Sequence, residues 1–127
     1  MSRPTIRTLM IDGVTYAWHR AHTHVEVNGE RRCVERVSAW IEGSRGASLI
    51  VRLHQGQGGH TAAGSGWGGF DGGVLMGRAE YNLNRPAVVA ALIRAALARG
   101  WAPREGRGLE IDDGFALLVA GRAPTGR

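Results

Sequence analysis

Polar and apolar positions alternate along much of the first half of the chain. Val14, Tyr16 and Trp18 fall on one side, and Thr15, Ala17 and His19 on the other, which is the period of a half-buried strand. The Asp12-Gly13 pair between "TIRTLMI" and this run predicts a tight turn, so the first two strands form a hairpin. Asn28-Gly29 follows as a stronger hairpin signal, because both central positions of a type I′ turn need positive φ. The returning run "ERRCVERVSAWIE" keeps Val37, Ala39 and Ile41 on one face. After a turn at "GSRG", "ASLIVRLHQ" alternates again through Leu49, Val51 and Leu53.

The pattern changes in "NLNRPAVVAALIRAALARGWAP", where alternation gives way to a continuous apolar stretch. Asn84 can cap a helix, Pro86 suits its first turn, Gly100 marks its end and Pro103 prevents continuation. Between Ala87 and Ala98 the only polar side chain is Arg94. A helix with one wet face shows a polar stripe. Either the alanines face solvent, or the helix is covered on two sides, by the sheet and by a partner or second subunit. The segment "GLEIDDGFALLVAG" reads as two short strands around Asp112-Asp113-Gly114, or one strand with a bulge.

These elements predict an α+β fold: an antiparallel β-meander of four to five strands, one main C-terminal helix packed on it, and a short strand after the helix. Residues 1–122 form one domain with a glycine-rich loop over 54–80, and 123–127 form a frayed tail. The length of 127 residues suits a single core. The opening residues lack the basic, apolar and small-residue series of a secretory signal. No apolar run is long enough to span a bilayer. The lone Cys33 forms no internal disulfide, which suits a reducing cytoplasm.

The net charge of +5 raises nucleic-acid binding as an alternative. All sixteen basic residues are arginine, scattered from Arg3 to Arg127. With the abundant alanine and glycine, that is the imprint of a GC-rich bacterial genome. The densest group, Arg31, Arg32 and Arg36, is interrupted by Glu30 and Glu35. Basic charge of this kind supports non-specific attraction only.

The hairpin register brings out candidate chemistry. If Asn28-Gly29 is a two-residue loop without a bulge, cross-strand partners have numbers that sum to 57. Tyr16 then faces Ile41 and Trp18 faces Ala39, while nearer the turn His22 faces Glu35 and His24 faces Cys33. His22, His24, Cys33 and Glu35 are all transition-metal ligand types, and the His-x-His spacing aims both imidazoles the same way. A zinc-class ion is the cofactor such a set implies, and an exposed polar hairpin tip is the competing reading. The stretch "HTHVEVNGE" departs from the first metal motif of cupins, because Glu26 lies too near His24 and Glu30 too far.

The stretch "HQGQGGHTAAGSGWGGFDGG" contains a G-x-G-x-x-G spacing at Gly64, Gly66 and Gly69. A dinucleotide site needs a helix directly after that spacing, and the predicted helix begins more than ten residues later. The chain has no lysine for a Walker loop, no G-x-S-x-G elbow and no His-Glu-x-x-His helix. Trp67 and Phe70 are candidate interaction anchors in this loop, with Arg94 on the helix. His54, His60 and Asp71 join a site only if the loop folds over the hairpin.

The "RPAVVAALIRAALARGWAP" segment, with the "GVTYAW" opening, resembles small uncharacterised bacterial proteins that pair an N-terminal meander with a proline-started helix ending in Gly-Trp. That resemblance implies the fold and no activity. The leading functional expectation is a small cytoplasmic, non-enzymatic protein-interaction module, of adaptor or immunity type, acting through a protein partner or self-association. The alternatives are a metal-binding protein using the His-x-His hairpin and a basic nucleic-acid-binding protein.

Overall fold

The structure is a computed structural model that describes residues 5–56, 61–62 and 71–127. It has the expected α+β architecture. Strands β1 (Arg7–Ile11), β2 (Val14–Val27), β3 (Glu30–Ile41) and β4 (Ser44–His54) form an antiparallel meander. A small antiparallel sheet follows: β5 (Thr61–Ala62), β6 (Gly73–Met76) and β7 (Ala79–Asn82). Then come the helix α1 (Pro86–Arg99), strand β8 (Leu109–Ile111) and a short helix α2 (Gly114–Ala120).

The first two turns are those the sequence dictates. Asp12 and Gly13 have φ of 49° and 79°, and Asn28 and Gly29 have φ of 51° and 81°, as two-residue hairpin loops require. β2 and β3 pair without interruption from Tyr16–Ile41 to Val27–Glu30, so the sum of 57 holds along the whole hairpin. The next turn falls at Glu42-Gly43, earlier than the expected "GSRG", whose Ser44, Arg45 and Gly46 lie in β4, and the β3–β4 register shifts between Ala39 and Ile41.

The helix-side face of the large sheet presents Tyr16, Trp18, Val37, Ala39, Leu49, Val51 and Leu53. All are buried in one cluster with Val88, Val89, Leu92, Ile93 and Ala96 of α1 and Phe115, Leu117 and Leu118 of α2. Pro86 opens α1, and Gly100 closes it in the left-handed region, its N–H donating to the Ala96 and Leu97 carbonyls. Trp101 then folds back: its backbone N–H donates to Ala96 O at 3.0 Å and its indole N–H to Ala47 O at 2.9 Å.

Three expectations need correction. "GFALLVA" is helix α2, not a strand; a seven-residue apolar run fits either element by periodicity, and the helical form lays Phe115, Leu117 and Leu118 on the core. β8 pairs with β4 in parallel, making the large sheet mixed. Asn84 does not cap α1: Arg85 holds the N-cap position without a side-chain bond, and the Asn84 amide is used elsewhere.

α2 also answers the question raised by the missing polar stripe. It packs along α1, with Gly121 against the Ala91 carbonyl where a Cβ would collide. The second cover on α1 therefore comes from within the chain. Part of the stretch read as a glycine-rich loop is likewise built into the small sheet. The last residues, expected to fray, make bonds: Gly126 N–H donates to Glu80 O at 2.8 Å and Arg85 to Thr125 O at 3.2 Å.

Candidate metal centre at the hairpin end

β2 carries His22 and His24 on the helix-side face, and β3 places Glu35 and Cys33 directly opposite them. The alternation of the strands and the unbroken register do this without any loop contribution. The two imidazole centroids lie 4.9 Å apart at 74°. One donor atom each from His22, His24 and Cys33 lies within 4.8 Å of the other two. Tetrahedral zinc places such donors roughly 3.3–3.6 Å apart, so closing on an ion takes side-chain movement of about 1 Å. His22 and Cys33 are half-buried and His24 is exposed, leaving one side open to solvent.

Glu35 has a different place from the fourth ligand that its residue type suggested. Its side chain is wholly buried, with Oε1 accepting from Arg20 NH1 at 2.8 Å. Oε2 sits 2.8 Å from His22 Nδ1 and accepts the Gly72 N–H at 3.1 Å. With these bonds made, the carboxylate stands behind His22 and orients it. A carboxylate on Nδ1 keeps the proton there and turns the Nε2 lone pair outward, the arrangement that metal-binding histidines use.

His24 is held differently. Arg31 NH2 lies 3.2 Å from its Nδ1, and because a guanidinium can only donate, that nitrogen is the acceptor. Desolvation, then Arg31, then neighbouring His22 hold the His24 imidazole below its ordinary value. It is therefore neutral at neutral pH, the form a metal needs. Ligation through Nδ1 displaces Arg31, and ligation through Nε2 puts a proton on Nδ1 facing the guanidinium. On either route Arg31 competes with the ion.

The sequence pattern gives Arg20 and Gly72 no role here, and Asn84 only that of a helix cap. Arg20 lies on the same strand face as His22 and His24, so the alternation could have flagged it. Gly72 and Asn84 arrive from the far side of the chain. Asn84 Oδ1 accepts from Arg20 Nε at 2.8 Å, and Asn84 Nδ2 donates to Asp71 O at 2.8 Å. Gly72, at φ 92°, approaches so closely that a Cβ there would lie 2.6 Å from Asn84 Nδ2 and 2.8 Å from Arg20 Cδ and Nε. A glycine is required at this point both for its backbone angle and for its lack of a side chain.

Among the described residues, the other candidates do not converge on this cluster. His54 Nε2 is 3.4 Å from Asp112 Oδ1, Asp71 contributes its carbonyl to Asn84, and Arg94 is exposed on α1. Trp67, Phe70 and His60 lie outside the described residues. Several arginines are engaged by carboxylates: Arg32 with Glu30, Arg52 with Glu110 and Asp112, and Arg99 with Asp113. Among the described residues, no helix is long and apolar enough to cross a membrane. Comparison of the chain with protein-family models, with curated proteins and with solved structures found no match.

Proposed function

We propose that this domain binds one transition-metal ion of the zinc class through His22, His24 and Cys33. The observation that carries this reading is the convergence of the three donor atoms within 4.8 Å, backed by a buried carboxylate on His22. Two imidazoles and a thiolate are a borderline-soft set that suits zinc. Three protein ligands leave a fourth position for water or an exogenous group. The protein's own residues do the preparatory work: Glu35 fixes the His22 tautomer, and ligation removes the Cys33 proton.

This reading takes precedence over the interaction module. The apolar helix that motivated an external partner is covered by α2 within the chain.

Untagged protein loaded with cobalt tests the proposal. One equivalent of Co(II) gives a thiolate charge-transfer band and tetrahedral d–d bands, Zn(II) removes them, and Cys33→Ser abolishes the charge-transfer band. Sub-stoichiometric binding, or the same spectrum from Cys33→Ser, overturns it.

A further inference from the structure

A second polar site lies on the same sheet face, further along β2 from the hairpin end. A cleft of about 140 Å³ is lined by Thr5, Arg7, Trp18, Arg20 and Asn84. Arg7 and Arg20 project from neighbouring strands, with Arg7 paired directly to Trp18 in the β1–β2 register. The Arg7 guanidinium stacks over the Trp18 ring at 5.5 Å and donates from NH1 to the Asn84 carbonyl at 3.0 Å. Both contacts fix its plane, and most of its N–H groups are left over.

The charge in this cleft is not balanced. Arg20 is offset by Glu35, but among the described residues no carboxylate lies within ion-pair distance of Arg7. The start of α1 follows Asn84, with no capping side chain and no acidic residue in its first turn, so the helix dipole adds to the positive field. Trp18 supplies an independent observation. It is only 2% exposed, yet among the described residues its indole N–H has no acceptor. A buried donor without a partner costs about 1–3 kcal/mol, and an acceptor bound in the cleft would remove that cost.

We infer that this cleft binds a small tetrahedral oxyanion, either inorganic phosphate or the phosphate group of a small monoester. Planar guanidinium groups donate in pairs to such an anion, and the cleft admits one phosphoryl group but not a nucleotide. This site is separate from the hairpin cluster and does not depend on the metal reading. Arg20 nevertheless touches both, through Glu35 to His22.

The test is a titration of ¹⁵N-labelled protein with sodium phosphate, followed on the tryptophan indole N–H signals, that of Trp18 being assigned by Trp18→Phe. A saturable shift of the Trp18 signal is expected with phosphate, weakened roughly ten-fold or more in Arg7→Gln. The same shift is expected in Cys33→Ser, which separates this cleft from the metal cluster. Arg7 is exposed, so its variant folds, and Arg7→Lys partly restores binding. A stronger response to glycerol phosphate assigns a monoester, and an equal response assigns the inorganic ion. The inference is overturned if no saturable shift occurs, if acetate produces it equally, if Arg7→Gln binds phosphate as tightly as the parent, or if Cys33→Ser abolishes the shift.

Discussion

Glu35 Oε2 sits 2.8 Å from His22 Nδ1, and the two residues face each other across β2 and β3 as a direct register pair. The carboxylate is fully buried while the imidazole is partly open, so the pair runs from the interior outward. Arg20 and the Gly72 N–H complete its hydrogen bonding. A buried carboxylate in such company is held because each of its partners would be left unsatisfied without it.

Glu35→Gln therefore has two expected effects. Loss of the charge beside Arg20 destabilises the fold by about 3 kcal/mol, read as a lower urea midpoint. Because the amide no longer fixes the His22 tautomer, metal affinity falls roughly 10–100-fold, read by competition with a chromogenic chelator in the folded variant. An unchanged affinity would separate Glu35 from the metal cluster.

Arg31 provides a change in the other direction. Its guanidinium engages His24 Nδ1 from an exposed position, so removing it costs the fold little. Arg31→Ala is expected to raise metal affinity several-fold, with stability within about 0.5 kcal/mol of the parent. Chelator competition on the two proteins checks it.

Stability should fall on the acid side through His19. Burial, and then Arg36 and Arg45, hold this imidazole below its ordinary value of 6.5. The unfolded chain takes up the proton first, so the stabilisation is complete above pH 6.5 and is lost as the pH drops toward the folded value. The slope from this one group is at most about 1.4 kcal/mol per pH unit. Urea midpoints of metal-free protein at several values from pH 7.5 to 5 should decline less steeply in His19→Gln. His24 shifts in the same direction in both proteins and cancels from the comparison.

Two glycines in the same backbone region separate strain from collision. Gly13 has φ 79° with open space where a Cβ would sit, and Gly72 has φ 92° against Asn84 and Arg20. Gly13→Ala is expected to cost about 1 kcal/mol from conformation alone. Gly72→Ala adds displacement of the Arg20–Asn84 pair and should cost at least about 2–3 kcal/mol. Thermal unfolding of the two variants side by side gives the difference.

The candidate site was legible as far as it is local. Asn28-Gly29 determines a turn, a turn determines a register, and the register alone brings His22, His24, Cys33 and Glu35 onto one face. What Glu35 does there was not legible, because Gly72 N–H and Asn84 reach it and Arg20 from across a long stretch of chain. Asn84 looked like a cap for the same reason: its sequence position suits one, but Arg20 claims its amide oxygen. The parallel pairing of β8 and the helical form of "GFALLVA" were hidden similarly. Each is decided by packing against distant parts of the chain, β8 on the edge of β4 and α2 on α1 and β4, which no short window of sequence contains.

The unbroken β2–β3 register has a consequence for how this chain can change over generations. Cross-strand pairs can be added or lost together at the tip, as Val27 with Glu30, and the donor set stays aligned. A single inserted or deleted codon in one arm, between the buried core pairs and the donors, instead turns that arm's half of the set to the opposite face. The hairpin end is thus open to paired changes in length and closed to odd ones.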